Sequence, residues 1–100
     1  MLIVTGHIRV DPADVPQFLQ DLQNLAVATR RRNGNISYDA AVNDTQSGEL
    51  LISERWVDQS ALSAHLDAVD TAAFVSRWQG RMHGDIRKYD ALNERSLTEN

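Results

Sequence analysis

The sequence predicts an α+β domain of ferredoxin-like βαββαβ order, with its strands in one antiparallel sheet. Three observations point to it. Apolar and polar residues alternate over residues 2–10, 35–43 and 49–57, the period of half-buried strands. Apolar residues recur at helical spacing from Val15 onward and again from about Leu62. The resulting order is strand, helix, strand, strand, helix, strand, the split βαβ pattern. A chain of 100 residues holds one such domain, assigned to residues 1–92, with a polar tail over 93–100.

In the first strand Leu2, Val4, Gly6, Ile8 and Val10 share one face, and Ile3, Thr5, His7 and Arg9 the other. Asp11-Pro12-Ala13-Asp14 reads as a helix start, with a capping carboxylate, a proline suited to the first turn and a second acid near the positive end of the dipole. Val15, Phe18, Leu19, Leu22, Leu25 and Ala26 form the apolar stripe of a helix of about five turns. Arg30-Arg31-Arg32 sits at its C-terminal end, where cations are favoured, and Asn33-Gly34 supplies a left-handed exit. The arginine run is therefore read as a helix end and not as an anion site.

In the second strand Ile36, Tyr38, Ala40 and Val42 share a face. Asp44-Thr45-Gln46-Ser47-Gly48 is rich in turn formers, and Leu50, Ile52, Glu54 and Trp56 share a face of the third strand, so the two strands read as a hairpin. Asp58 and Ser60 offer caps to a second helical region through Leu62, Leu66 and Val69. A break at Asp70-Thr71 splits it before Phe74, Val75 and Trp78. Residues 85–92 are the last strand, with Ile86, Tyr89 and Leu92 as anchors.

The composition narrows the function. The net charge of −4 argues against nucleic acid or an anionic membrane as partner. The absence of cysteine excludes disulfides and thiolate chemistry. Three scattered histidines lack metal-ligand spacing, so no metal is expected. No run approaches the roughly 20 apolar residues of a membrane span, and no signal peptide is read at the N-terminus, which makes a cytoplasmic protein the expectation. Helices on one face of the sheet leave the other, with Ile3, Ala41, Leu51 and Val57, for a second subunit to cover.

Four segments resemble the antibiotic biosynthesis monooxygenase (ABM) domain family across residues 2–92: Val4 to Phe18, Asn33-Gly34-Asn35-Ile36-Ser37-Tyr38, Leu51-Ile52-Ser53-Glu54-Arg55-Trp56, and Ser60-Ala61-Leu62-Ser63-Ala64-His65-Leu66. The resemblance implies a homodimeric α+β barrel, joined through the sheet faces, with a cleft between helices and sheet in each subunit. It also implies chemistry without a cofactor on a small aromatic substrate, with dioxygen as co-substrate. The family spans aromatic-polyketide oxygenases, quinol monooxygenases, a sugar-phosphate isomerase and heme degraders, so it sets architecture better than reaction. The polyketide oxygenases carry a Trp matching Trp56, but an asparagine four residues earlier, where this chain has Ile52. The first-strand asparagine of heme degraders is absent from the face Leu2, Val4, Gly6, Ile8, Val10. His65 stands near those enzymes' Trp position, and Val75 or a neighbour where their heme ligand would be.

The candidate site follows from the strand faces. If the face of Glu54 and Trp56 meets the helices, Glu54 brings a carboxylate into an apolar cleft, where burial raises its pKa and favours proton transfer; pairing with an arginine or capping of backbone amides is the alternative. His65, beside Leu62 and Leu66, can reach the same cleft and take a phenolic proton or orient a carbonyl; closing the helix–sheet junction is its alternative. Trp56, Tyr38 and Phe74 are expected to line an aromatic pocket, and Arg77 to steady an oxyanion. His7 is assigned to the dimer side and His83 to the cleft mouth. The leading expectation is a cofactor-independent monooxygenase of a phenol or quinol, with His65 or Glu54 as base. The alternatives are an isomerase or tautomerase of a small polar metabolite, and a non-catalytic ligand-binding dimer.

Overall fold

The computed structural model describes residues 1–100. Its elements are β1 (Leu2–Val10), a short 3₁₀ turn (Pro12–Asp14), α1 (Val15–Thr29), β2 (Asn35–Asp44), β3 (Glu49–Trp56), α2 (Gln59–Asp67), α3 (Val69–Trp78) and β4 (Met82–Asp90). All pairings are antiparallel in the order β2-β3-β1-β4, the ferredoxin-like sheet with its second helix split. No helix is long and apolar enough to cross a membrane.

The period-two faces fall as expected. Leu2, Val4, Ile8 and Val10 of β1 and Leu50, Ile52, Glu54 and Trp56 of β3 are buried on the helix-facing side. α1 lays Phe18, Leu22, Leu25 and Ala26 against them. Phe18 and Leu22 are almost wholly buried, each worth about 1.5–3 kcal/mol on apolar area. α1 packs on β2 and α3, and α2 on β3 and α3. Asp11 caps the 3₁₀ turn through Ala13 N at 2.9 Å, and Asp58 caps α2 through Ala61 N at 2.9 Å. Gly34 takes φ 84°, and a Cβ there would lie 2.4 Å from that of Ala61, so the turn needs glycine and lets α2 sit close to the α1–β2 link.

Some boundaries differ from the sequence reading. α1 has 15 residues, about four turns, and ends at Thr29, so the arginine run lies in the link to β2. The helix break is at Ala68, extended at φ −65°, ψ 146°, and not at Asp70-Thr71. A bulge between Asn35 and Ser37 turns Ile36 outward, away from the face of Tyr38. β3 stops at Trp56, before Val57. β4 starts at Met82 instead of residue 85 and ends at Asp90; Leu92 lies beyond it and is exposed.

Candidate active site

Antiparallel register places Tyr38, Glu54 and Val4 in one row across β2, β3 and β1, facing the helices. Trp56, two residues on from Glu54, faces the same way. From above, α2 lowers His65 onto them. Its ring stacks on the Trp56 indole, with centroids 5.0 Å apart and planes at 28°, and meets the Tyr38 ring at 5.7 Å and 69°. The phenol, carboxylate, indole and imidazole thus converge on one side of the sheet.

Each polar group is held by a specific partner. Trp56 Nε1 donates to Glu54 Oε1 at 3.0 Å. Burial pushes the Glu54 carboxyl above the ordinary carboxylate range, and the indole hydrogen bond opposes it. Burial, helped by the neighbouring Glu54 charge, pushes the Tyr38 phenol up against the pull of Arg32 and Arg30. Arg32 Nη1 lies 2.7 Å from His65 Nδ1, and Thr71 Oγ1 lies 3.4 Å from the same nitrogen. A guanidinium only donates, so Nδ1 accepts and the neutral ring carries its proton on Nε2. Burial and then the Arg32 charge bring the His65 pKa down to about 4, with Asp70 opposing. Near neutral pH this ring has an N–H at Nε2 to offer and no free lone pair with which to take a proton.

No buried side-chain polar atom in the chain lacks a partner. The second Glu54 oxygen, His65 Nε2 and Tyr38 Oη bond to no protein atom, so each reaches accessible surface. All three residues line a cleft of about 240 Å³ between helices and sheet. Tyr38, Glu54, His65 and Thr71 make one end polar, and Ile8, Leu22, Phe74 and Met82 line the remainder. Leu66, Val75 and Ile86 form an apolar rim and stay exposed.

Among the expected site residues, Tyr38, Glu54, His65 and Phe74 reach the cleft. Trp56 does not line it: the indole is fully buried behind His65 and Glu54 and acts on the cleft through them. Arg77 turns to α1, pairing with Asp21 at 3.2 Å, because that carboxylate is fixed by Trp78 Nε1 at 2.9 Å. His83 pairs across the sheet with Arg9 and borders an outer-face groove with His7, not the cleft mouth. The sequence reading missed Arg32, Thr71 and Asp70 as neighbours of His65. From sequence, Arg32 reads as a helix end and the other two as a break between helices. The contacts of Arg32 with His65 and Asp70 span 33 and 38 residues, and neither leaves a periodic signal.

Comparison with known proteins agrees with this architecture. The model of the family described as antibiotic biosynthesis monooxygenase matches residues 1–77. YcnE of Bacillus subtilis (strain 168), whose name assigns it provisionally as a monooxygenase, is 26% identical over 77 residues, 77% of this chain and 81% of its own. A crystal structure from Deinococcus radiodurans, provisionally titled an antibiotic biosynthesis monooxygenase, superposes with a TM-score of 0.88 at 23% identity, covering 99% of this chain and 100% of that one. Rv0793 from Mycobacterium tuberculosis superposes with a TM-score of 0.83 at 21% identity, covering 95% and 98%. At such identities the structural likeness shows the fold.

Proposed function

Because the chain belongs to the antibiotic biosynthesis monooxygenase family, we propose that it is a cofactor-independent monooxygenase of a small phenol or quinol bound beside Glu54 and His65. One observation carries this reading: a carboxyl whose pKa burial raises and a neutral imidazole line the same apolar cleft. Glu54 takes the phenolic proton through its free oxygen. His65 Nε2–H and the protonated Tyr38 phenol donate to the oxyanion that forms. The apolar walls keep water from the electron-rich ring. The substrate supplies all the electrons: a ring C–H of the phenol and O2 give a quinone C=O and one water.

The cleft sets a size. At about 240 Å³ it exceeds the roughly 150 Å³ cavity that accepts benzene and falls below the roughly 300 Å³ at which drug-sized pockets begin. One or two rings fill that volume. The apolar rim of Leu66, Val75 and Ile86 suits a ring with an apolar substituent.

Oxygen uptake with a panel of one- and two-ring hydroquinones tests the proposal. Uptake above the autoxidation blank, lost in Glu54→Gln and reduced in His65→Ala, is expected. Uptake equal to the blank for wild type on every member overturns it.

The same base and donors favour a second reading, an isomerase or tautomerase of a small polar carbonyl compound. A carboxylate base beside a neutral imidazole that polarises a carbonyl is an enolising arrangement. Turnover under anaerobic conditions separates the two. A non-catalytic ligand-binding dimer is what remains if neither assay shows turnover. A second copy against the outer sheet face completes the proposal: Leu51 and Tyr89 stand there 44% and 52% exposed with no helix over them. Light scattering should give twice the monomer mass, falling toward 11.2 kDa in Leu51→Glu.

A further inference from the structure

We propose that Arg32, anchored by Asp70, is a positioning residue that fixes His65 as the Nε2–H tautomer and so makes it a hydrogen-bond donor to the substrate instead of a base. The role assigned to His65 rests on the cleft reading above; the tautomer itself does not.

The geometry is specific. Arg32 leaves the end of α1, and its guanidinium reaches three elements at once. Nη1 donates to His65 Nδ1 on α2 at 2.7 Å and to Thr29 Oγ1 on α1 at 3.3 Å, and Nη2 pairs with the Asp70 carboxylate on α3. Thr29 is itself held, its hydroxyl donating to Leu25 O at 2.7 Å. Asp70 is fixed at the start of α3, where its Oδ1 also accepts from Thr71 N at 2.9 Å. The fork geometry matters: two nitrogens serve the imidazole and the carboxylate together, which one ammonium cannot do. Its neighbours Arg30 and Arg31 do other work or none: Arg30 Nε donates to Tyr38 O at 3.0 Å, and Arg31 has no side-chain partner.

The electrostatics agree. The charged and titratable groups facing His65 are Arg32 from the α1–β2 link, Asp70 from α3, and Glu54 and Tyr38 from the sheet. Burial and Arg32 both disfavour the imidazolium. An unclamped imidazole in the same place would exchange tautomers, presenting a lone pair to the cleft part of the time, while burial would still hold its pKa below the ordinary value.

Nitrogen-15 NMR of the imidazole tests this without substrate. In wild type at pH 7, His65 should show an unprotonated Nδ1 and a protonated Nε2, with a titration midpoint near 4. In Arg32→Met the Nδ1–H tautomer should appear and the midpoint move up, staying below 6.5 because burial remains. Arg32→Lys keeps the charge and should give an intermediate tautomer mixture. A wild-type spectrum with Nδ1 protonated at pH 7 overturns the proposal on its own, with no variant required. So does an Arg32→Met spectrum that matches wild type. If a substrate is found, the acid limb of kcat/KM in Arg32→Met should lie at higher pH than in wild type. Absence of turnover on every substrate counts against the proposed function and leaves the tautomer measurement standing.

Discussion

Trp56 holds Glu54 from behind: the fully buried indole places Nε1 3.0 Å from one carboxylate oxygen and leaves the other to the cleft. Carboxylate and indole lie two residues apart on β3, so period two alone puts them on one face. The hydrogen bond fixes which oxygen is free, and it also lowers the pKa that burial raises.

Trp56→Phe keeps a ring under His65 but removes that donor. The buried Oε1 then loses its partner, which costs about 2 kcal/mol of stability in denaturant unfolding. The Glu54 pKa should rise further, because the opposing influence is gone. The acid limb of any proton-abstraction activity should therefore move to higher pH. An unmoved limb would show that the indole does not tune this carboxylate.

Glu54→Gln should remove activity while raising stability in alkaline solution. The folded carboxyl has a pKa above its ordinary 4.5, so the folded chain holds its proton over a pH range in which the unfolded chain has lost it. Wild-type stability therefore falls as pH rises from about 4.5 through the folded value. The amide has no such dependence and can still accept from Trp56 through its oxygen. Urea midpoints should be close at pH 4.5 and should separate in favour of Glu54→Gln by pH 8.

His65 predicts the opposite slope. Its folded pKa of about 4 lies below the ordinary 6.5, so the unfolded chain binds a proton that the folded chain refuses between those values. The stability contributed by the neutral ring is complete above pH 6.5 and is lost as pH falls to about 4, by on the order of 2 kcal/mol. Substituting glutamine at His65 should flatten that part of the stability profile. A profile that keeps its full slope in the variant would assign the acid sensitivity to other groups.

The sequence made the sheet legible but not the polar clamp. Alternation in β1 and β3 puts Glu54 on the same face as Leu50, Ile52 and Trp56, because one face of each strand is buried and must read as apolar. β4 gave a poor signal for the converse reason: it lies at the sheet edge, exposed along nearly its whole length, and nothing forces its residues to alternate. Arg32 reads as part of a helix end, but it lies in the link after α1 and its partners are His65 and Asp70 on other elements, and no local spacing encodes such a contact. Trp56 was put on the right face, yet strand period does not say whether a side chain lines a cleft or lies behind those that do.

Two glycines on adjacent strands should respond in opposite ways. Gly6 of β1 faces the helices between Ile52 and Ile86, and a Cβ there would stand 2.0 Å from Asp85 O, in the backbone of β4. Gly6→Ala must push the two strands apart and should lower stability by about 1–3 kcal/mol, read as a reduced urea midpoint. Gly84 lines the cleft, and a Cβ there would meet the Ile86 side chain at 3.6 Å and His7 O at 3.8 Å, both ordinary contacts. Gly84→Val should fold with little loss and take volume from the cleft floor. Its KM for two-ring substrates should rise several-fold more than for one-ring substrates, since a single ring needs less of the roughly 240 Å³. Equal KM changes for both sizes would place the ring elsewhere than over β4.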